Sequence, residues 1–294
     1  MITSTRKTFS SLNTLERIIA VNVVIFLLVN IGNVVLRLFN FPEGTVSDWM
    51  SDWLAVPSSL KSLMYKPWTI ITYCFYHENF FHILFNMLWL FFMGRIFTEY
   101  LGEKKILPVY LLGGMIGAGL FILFYNLFPL FNKEVNYAVA LGASASVLAV
   151  TVAIATLLPD YEVAVFLPQW RVKLKYIAVA LFVMDLLSIT GSNAGGNIAH
   201  IGGAVFGFAY IRFLKKGHDL TLPLQQFFGR ISGAGKPKIK VVYRKSNTDE
   251  DYLTKKNSNQ EVIDKILDKI SRSGYASLSK EEKDILFKAS NNQK

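Results

Sequence analysis

The sequence predicts an all-α membrane protein, a six-transmembrane-helix bundle with a small cytoplasmic helical hairpin at the C-terminus. Three observations carry that fold class. Hydrophobic residues make up 52% of the 294 and charged residues 18%, with a mean hydropathy of +0.35, so lipid is the chain's main solvent. Six apolar stretches, at roughly 18–36, 80–98, 106–128, 144–158, 174–190 and 197–213, are long enough to consider as spans. Their flanks are unequal in charge: twelve Lys and Arg, among them Arg17, Lys104, Lys105 and Arg212, lie on one side, and only Arg37, Lys61, Lys66 and Lys133 on the other. Loops rich in Lys and Arg stay cytoplasmic, which puts both termini there.

Residues 1–16 read as a cytoplasmic N-terminal segment and 17–215 as the membrane domain. The start from Met1 to Arg17 is polar, and the first apolar run has no small-residue cleavage site before its end, so this run is expected to remain as a span. Asn22, Asn30 and Asn33 suggest a bundle-facing polar stripe on it. Trp49 and Trp53 follow in a long first loop, where aromatic rings suit the membrane interface. Arg95 and Glu99, four apart near the inner end of span two, read as a structural pair or interface anchors. Spans four and six are short: about 15 residues at about 1.5 Å each cannot cross about 30 Å of hydrocarbon alone. Residues 216–260 form a basic linker rich in Gly, Lys, Ser and Asn, and 261–290 a hairpin. Within it Val262, Ile263, Ile266, Leu267 and Ile270 recur at helical spacing, Gly274 suits a stop, and Ser279 with Glu282 makes a capping box. A docking site for a cytoplasmic partner and a self-packing cap fit that hairpin equally well.

The candidate chemistry lies at the outer ends of the spans. Ser144 opens span four in Gly142-Ala143-Ser144-Ala145, and His200 lies near the outer end of span six in Ala199-His200-Ile201-Gly202-Gly203. His82 and Asn86 share one side of span two. A serine hydroxyl is a weak nucleophile until a base takes its proton, and histidine can do this and then protonate a leaving amine. The resulting oxyanion needs preorganised donors, which His82, Asn86 and the Ser144 backbone N–H could supply. Ser146, about 200° around the helix from Ser144, cannot face the same histidine. Gly142, Gly203 and Gly207 would let spans four and six approach closely. This set suggests peptide-bond cleavage inside the bilayer.

Other chemistries fit less well. His77-Glu78-Asn79-Phe80-Phe81-His82 resembles a zinc-binding pair, but the histidines are five apart instead of four, so no metal is expected. Cys74, the single cysteine, allows no disulfide within the chain. No cofactor is implied. The basic tail, with 17 Lys and Arg against 10 Asp and Glu over 215–294, has only Tyr243 and Tyr252 in its arm and reads as attracted to anionic headgroups, not nucleic acid. Asp185, mid-span five, is expensive in lipid, and is expected protonated or paired within the bundle, with a transport role as the rival.

These motifs resemble the rhomboid family of intramembrane serine proteases. The family's GxSx motif matches at Gly142 to Ala145, AHxxGxxxG at Ala199 to Gly207 and HxxxN at His82 to Asn86; Gly94 to Gly102 and Pro67-Trp68-Thr69 are also similar. The resemblance covers about residues 15–215. It implies Ser144 as nucleophile, His200 as general base, His82 and Asn86 as oxyanion hole, residues 40–67 as a partly embedded first loop, and transmembrane proteins as substrates entering beside span five. Where the family often has glycine after the serine and a stacking aromatic one turn on, this chain has Ala145 and Leu148. The alternative is a non-catalytic protein of the same fold that binds client helices. With no organelle-targeting sequence apparent, a bacterial inner membrane is the expected location.

Overall fold

The computed structural model describes residues 12–164, 170–231, 264–274 and 277–291. The chain divides into two compact units, Met1–Ala234 and Gly235–Lys294.

In the first unit, α1 (Thr14–Leu38) starts from a capping box: the Glu16 N–H donates to the Asn13 side chain at 2.8 Å and the Asn13 N–H to Glu16 at 3.0 Å. The first loop holds α2 (Thr45–Leu54), a short strand β1 (Val56–Pro57), α3 (Leu60–Tyr65) and α4 (Thr69–Thr72). Then come α5 (Phe80–Leu101), α6 (Glu103–Leu127), β2 (Val139–Ala140) and α7 (Ser144–Leu157). A hairpin of β3 (Glu162–Ala164) and β4 (Arg171–Lys173) leads to α8 (Leu174–Leu187), α9 (Ala194–Leu214) and α10 (Leu222–Ile231).

This is the all-α membrane bundle the sequence predicts. Helices α1, α5, α6 and α9 are long and apolar enough to cross a membrane. Helix α7 sits among α5, α6, α8 and α9 with nearly every residue buried. Its 14 residues rise about 21 Å, short of about 30 Å of hydrocarbon. A helix that stops short of the surface must be walled by protein, and its Ala, Ser, Thr and Val side chains let the neighbours close in. Close approach is reciprocal. A Cβ at Gly203 or Gly207 would strike the carbonyl oxygens of Ala145 and Ala149, and one at Gly117 would lie 2.6 Å from the Ala199 oxygen. Glycines on α6 and α9 therefore set the spacing around α7.

Span lengths differ from expectation in two places. The sixth helix is not short: it begins at Ala194 and runs 21 residues. Its first turn contains Gly195, Gly196 and Asn197, which hydropathy excludes, yet Gly195 packs on Phe121 and the Asn197 amide donates to the Ser188 carbonyl at 2.7 Å. The shortened helix is α8, 14 residues ending at Leu187. The segment from 216, read as the start of a linker, carries α10, which packs on α6; Lys105 pairs with Asp219 at 3.5 Å beside it.

Of the three asparagines in the polar stripe, Asn22 and Asn33 reach partners outside α1, whereas the Asn30 amide donates to the Phe26 carbonyl of the helix itself. The Asn22 amide donates to the Ile18 carbonyl at 2.8 Å and lies 3.4 Å from the Tyr110 hydroxyl, and Asn33 donates to Ser47 and accepts from the Val46 N–H. Arg95 lies over the Phe91 ring and makes no ion pair with Glu99. Helical spacing brings those two side chains to one face without obliging them to meet.

The second unit holds α11 (264–273) and α12 (Lys280–Asn291). Gly274 follows α11 at φ +77°, a left-handed stop that glycine adopts without strain. The capping box forms as read: the Glu282 N–H donates to Ser279 Oγ at 3.2 Å and the Ser279 N–H to Glu282 at 2.7 Å. Ile266 and Leu278 are buried. Val262, Ile263 and the 232–260 arm lie outside the described residues, as does the Phe287 side chain.

Candidate active site

Ser144 is the first residue of α7, and its position is fixed by the turn before it. Strand β2 pairs antiparallel with β1, Val56 opposite Ala140. The Ser58 hydroxyl donates to the Val135 carbonyl at 2.8 Å, and the Asn126 amide to the Ser58 carbonyl at 2.7 Å. The Gly142 N–H donates to the Tyr73 carbonyl at 2.9 Å, and the Ala143 N–H to His77 Nε2 at 3.2 Å. The first loop thus acts as a brace for the turn that presents the serine. Gly142 adopts φ +107°, where an L side chain is strained, and a Cβ there would lie 2.6 Å from the His82 ring. Its close approach is to α5. The packing role between α7 and α9 that the sequence predicts for it belongs to Gly203 and Gly207, because Gly142 lies in the turn and precedes the helix–helix contact.

His200 lies two turns into α9. Its Nε2 is 2.6 Å from Ser144 Oγ, and its Nδ1 is 2.8 Å from Asp185 Oδ1 on α8. The His200 and Asp185 side chains keep 21% and 13% of their exposure, so the cluster is recessed but not sealed. His82 lies against Gly142, two residues before the serine, and the buried Asn86 donates to the His82 carbonyl at 2.8 Å. A polar cleft beside them is lined by Glu78, Asn79, His82, Leu141 and Asn193. Ser146 is buried on the far side of α7, near Gly114 and Cys74, and does not face His200. Leu148 packs in a cluster with Val152 and Ala204, bounded by Leu181 and Phe182 of α8.

The structure therefore brings together Ser144 and His200, sets His82 and Asn86 on the neighbouring helix, and adds Asp185, which the sequence predicts only as protonated or paired within the bundle. A hydroxyl hydrogen-bonded to an imidazole is the pairing by which a base activates a nucleophile. The unpaired N–H groups at the start of α7 supply positive potential next to it.

A rhomboid domain model matches residues 65–217, slightly more than half of the chain. The chain belongs to the rhomboid family. Residues 246–292 of this rhomboid match a second family model, one of unknown function. Among its relatives are the presenilin-associated rhomboid-like protein, mitochondrial, of Homo sapiens, 30% identical over 150 residues, and rhomboid protease AarA of Providencia stuartii, 30% identical over 161. RHOMBOID-like protein 12, mitochondrial, of Arabidopsis thaliana is also 30% identical over 161 residues. Each match covers 50% of this chain and, in that order, 37%, 56% and 46% of the relative. This rhomboid thus spans about half the length, or less, of the relatives it matches.

Proposed function

We propose that this rhomboid is an intramembrane serine endopeptidase that hydrolyses peptide bonds in or near transmembrane segments of other membrane proteins. The observation that carries the proposal is the 2.6 Å approach of His200 Nε2 to Ser144 Oγ at the recessed N-terminus of α7. Ser144 Oγ attacks the scissile carbonyl carbon while His200 Nε2 takes its proton. The carbonyl oxygen becomes an oxyanion next to the Ser144 backbone N–H, with His82 and Asn86 as further donors. Collapse breaks the C–N bond as His200 returns the proton to the departing amine. Water then attacks the acyl-enzyme, His200 accepts its proton, and the acid product leaves with Ser144 restored. No step calls for a cofactor.

A helical substrate must unwind before a carbonyl is exposed to attack, since every backbone group in lipid is otherwise paired within the helix. Transmembrane segments weakened by small or helix-breaking residues are therefore the substrates proposed. The unequal Lys and Arg flanks support termini on the cytoplasmic side, and a bacterial inner membrane is the location proposed.

The test is cleavage of a reporter transmembrane segment by purified protein in liposomes, comparing the native chain with Ser144→Ala and His200→Ala. Native protein is expected to cut, and each variant to lose at least about 10³-fold in kcat while remaining folded. A Ser144→Ala variant that still cuts removes Ser144 as nucleophile. Three inert proteins that still bind the reporter favour client binding without catalysis.

A further inference from the structure

The geometry points to Asp185 as a positioning residue that fixes the tautomer of His200 and stabilises its protonated form, turning a two-residue pair into a serine–histidine–aspartate relay. This inference rests on the proteolytic reading above. Both imidazole nitrogens are engaged, Nδ1 with Asp185 at 2.8 Å and Nε2 with Ser144 at 2.6 Å. An ionised carboxylate only accepts, so the proton of a neutral imidazole paired with it sits on Nδ1. Nε2 is then left with its lone pair facing the serine O–H, the one arrangement in which it can act as base. When Nε2 takes the serine proton, the positive charge that forms on the ring lies beside the carboxylate.

Two further observations support this role. Among the described residues, His200 is the hydrogen-bonding partner of the Asp185 side chain, on a helix where an unpartnered carboxylate is costly. The surroundings also hold the pair in register. The Asn197 amide donates to the Ser188 carbonyl, joining the residue three before His200 to the residue three after Asp185. Leu181 and Phe182 anchor the same helix on Leu148 and Ala204. These contacts fix α8 against both helices that carry the reacting groups, so the carboxylate is aimed by packing as well as by its own bond.

The rival explanation is that the bond simply pins α8 to the bundle. Asp185→Asn separates the two, because the amide oxygen can still accept from Nδ1–H and keep the pin, while the charge is gone and the amide can also turn to favour the wrong tautomer. The experiment is steady-state cleavage of the reporter by native, Asp185→Asn, Asp185→Ala and Asp185→Glu proteins, each with its thermal midpoint. Expected for Asp185→Asn is a kcat lower by about 10²- to 10⁴-fold, with KM and midpoint close to native. Asp185→Glu, which restores the charge, is expected to recover part of kcat. An Asp185→Asn protein as fast as native overturns the inference even if Asp185→Ala melts early. So does a Glu variant as slow as Asn, since charge would then not be what matters. A native chain that cuts nothing overturns the proteolytic reading itself and this inference with it, whereas the first two outcomes leave that reading intact.

Discussion

At the scale of single residues, the serine is held by groups that take no part in bond making. His77 is fully buried and accepts the Ala143 N–H one residue before Ser144. Burial first, and the neighbouring His82 second, hold its imidazole down from 6.5 to about 3. The unfolded chain therefore binds a proton in the window between about pH 6.5 and pH 3 that the folded chain refuses. More protons on the unfolded side means stability rises with pH, so it falls on acidification, by up to about 1.4 kcal/mol per pH unit for this one group. Above pH 6.5 His77 contributes no slope. Apparent unfolding free energies in mixed micelles from pH 7 to pH 4 are expected to show that loss, and His77→Gln to flatten it. An unchanged slope in the variant removes His77 as its source. The pairing of Ser144 with His200 is legible in the sequence because glycines frame both residues and the three motifs occur in order. The Asp185 contact is not. Fifteen residues and a helix–helix turn separate it from His200, and the rotation that aims α8 inward is set by Leu181 and Phe182 packing on α7, which hydropathy does not encode.

Among elements, the closeness of α7 and α9 is what brings a hydroxyl on one within reach of an imidazole on the other. Gly203 faces the Ala145 carbonyl directly, one residue after the serine, whereas Gly119 on α6 has no side chain or backbone of another element within 4 Å of where its Cβ would be. Gly203→Val is therefore expected to push the helices apart, costing about 1–3 kcal/mol of stability and most of the cleavage activity. Gly119→Ala is expected to leave activity unchanged and stabilise by up to about 1 kcal/mol through helix propensity. Thermal midpoints and reporter cleavage of the two variants check this, and equal effects would mean that glycine spacing does not set the site. Gly203 and Gly207 could be read from the sequence because they lie four apart beside the histidine. Gly113 and Gly117, which admit α7 on the α6 side, could not, since glycine repeats are common in spans and the sequence does not say which face meets a neighbour. Helix existence was readable in the same way that boundaries were not. Apolar runs mark α1 and α5 through α9, but α9 begins in a glycine- and asparagine-rich turn whose helical state depends on contacts with Phe121 and Ser188.

For the molecule as a whole, orientation decides which compartment the recessed Ser144 faces. Lys133 lies between α6 and α7 and Lys216 follows α9, both exposed. If α1 and α5 through α9 each carry the chain across, these two positions lie on opposite faces, with the Lys216 side marked by Arg212, Lys215 and the basic tail. The chain offers a clean background for testing this, because its single cysteine, Cys74, is fully buried. A membrane-impermeant maleimide added to intact cells is expected to leave the native chain unlabelled and to label Lys133→Cys. Lys216→Cys is expected to react only after permeabilisation. Labelling of both positions from outside would mean an odd number of crossings between them is wrong, and α7 or α8, at 14 residues each, is where the count would fail. The reverse pattern would turn the molecule over and place the Ser144 end of α7 toward the cytoplasm. The same measurement thus tests the membrane crossing of the two short helices and the side from which the recessed serine meets water.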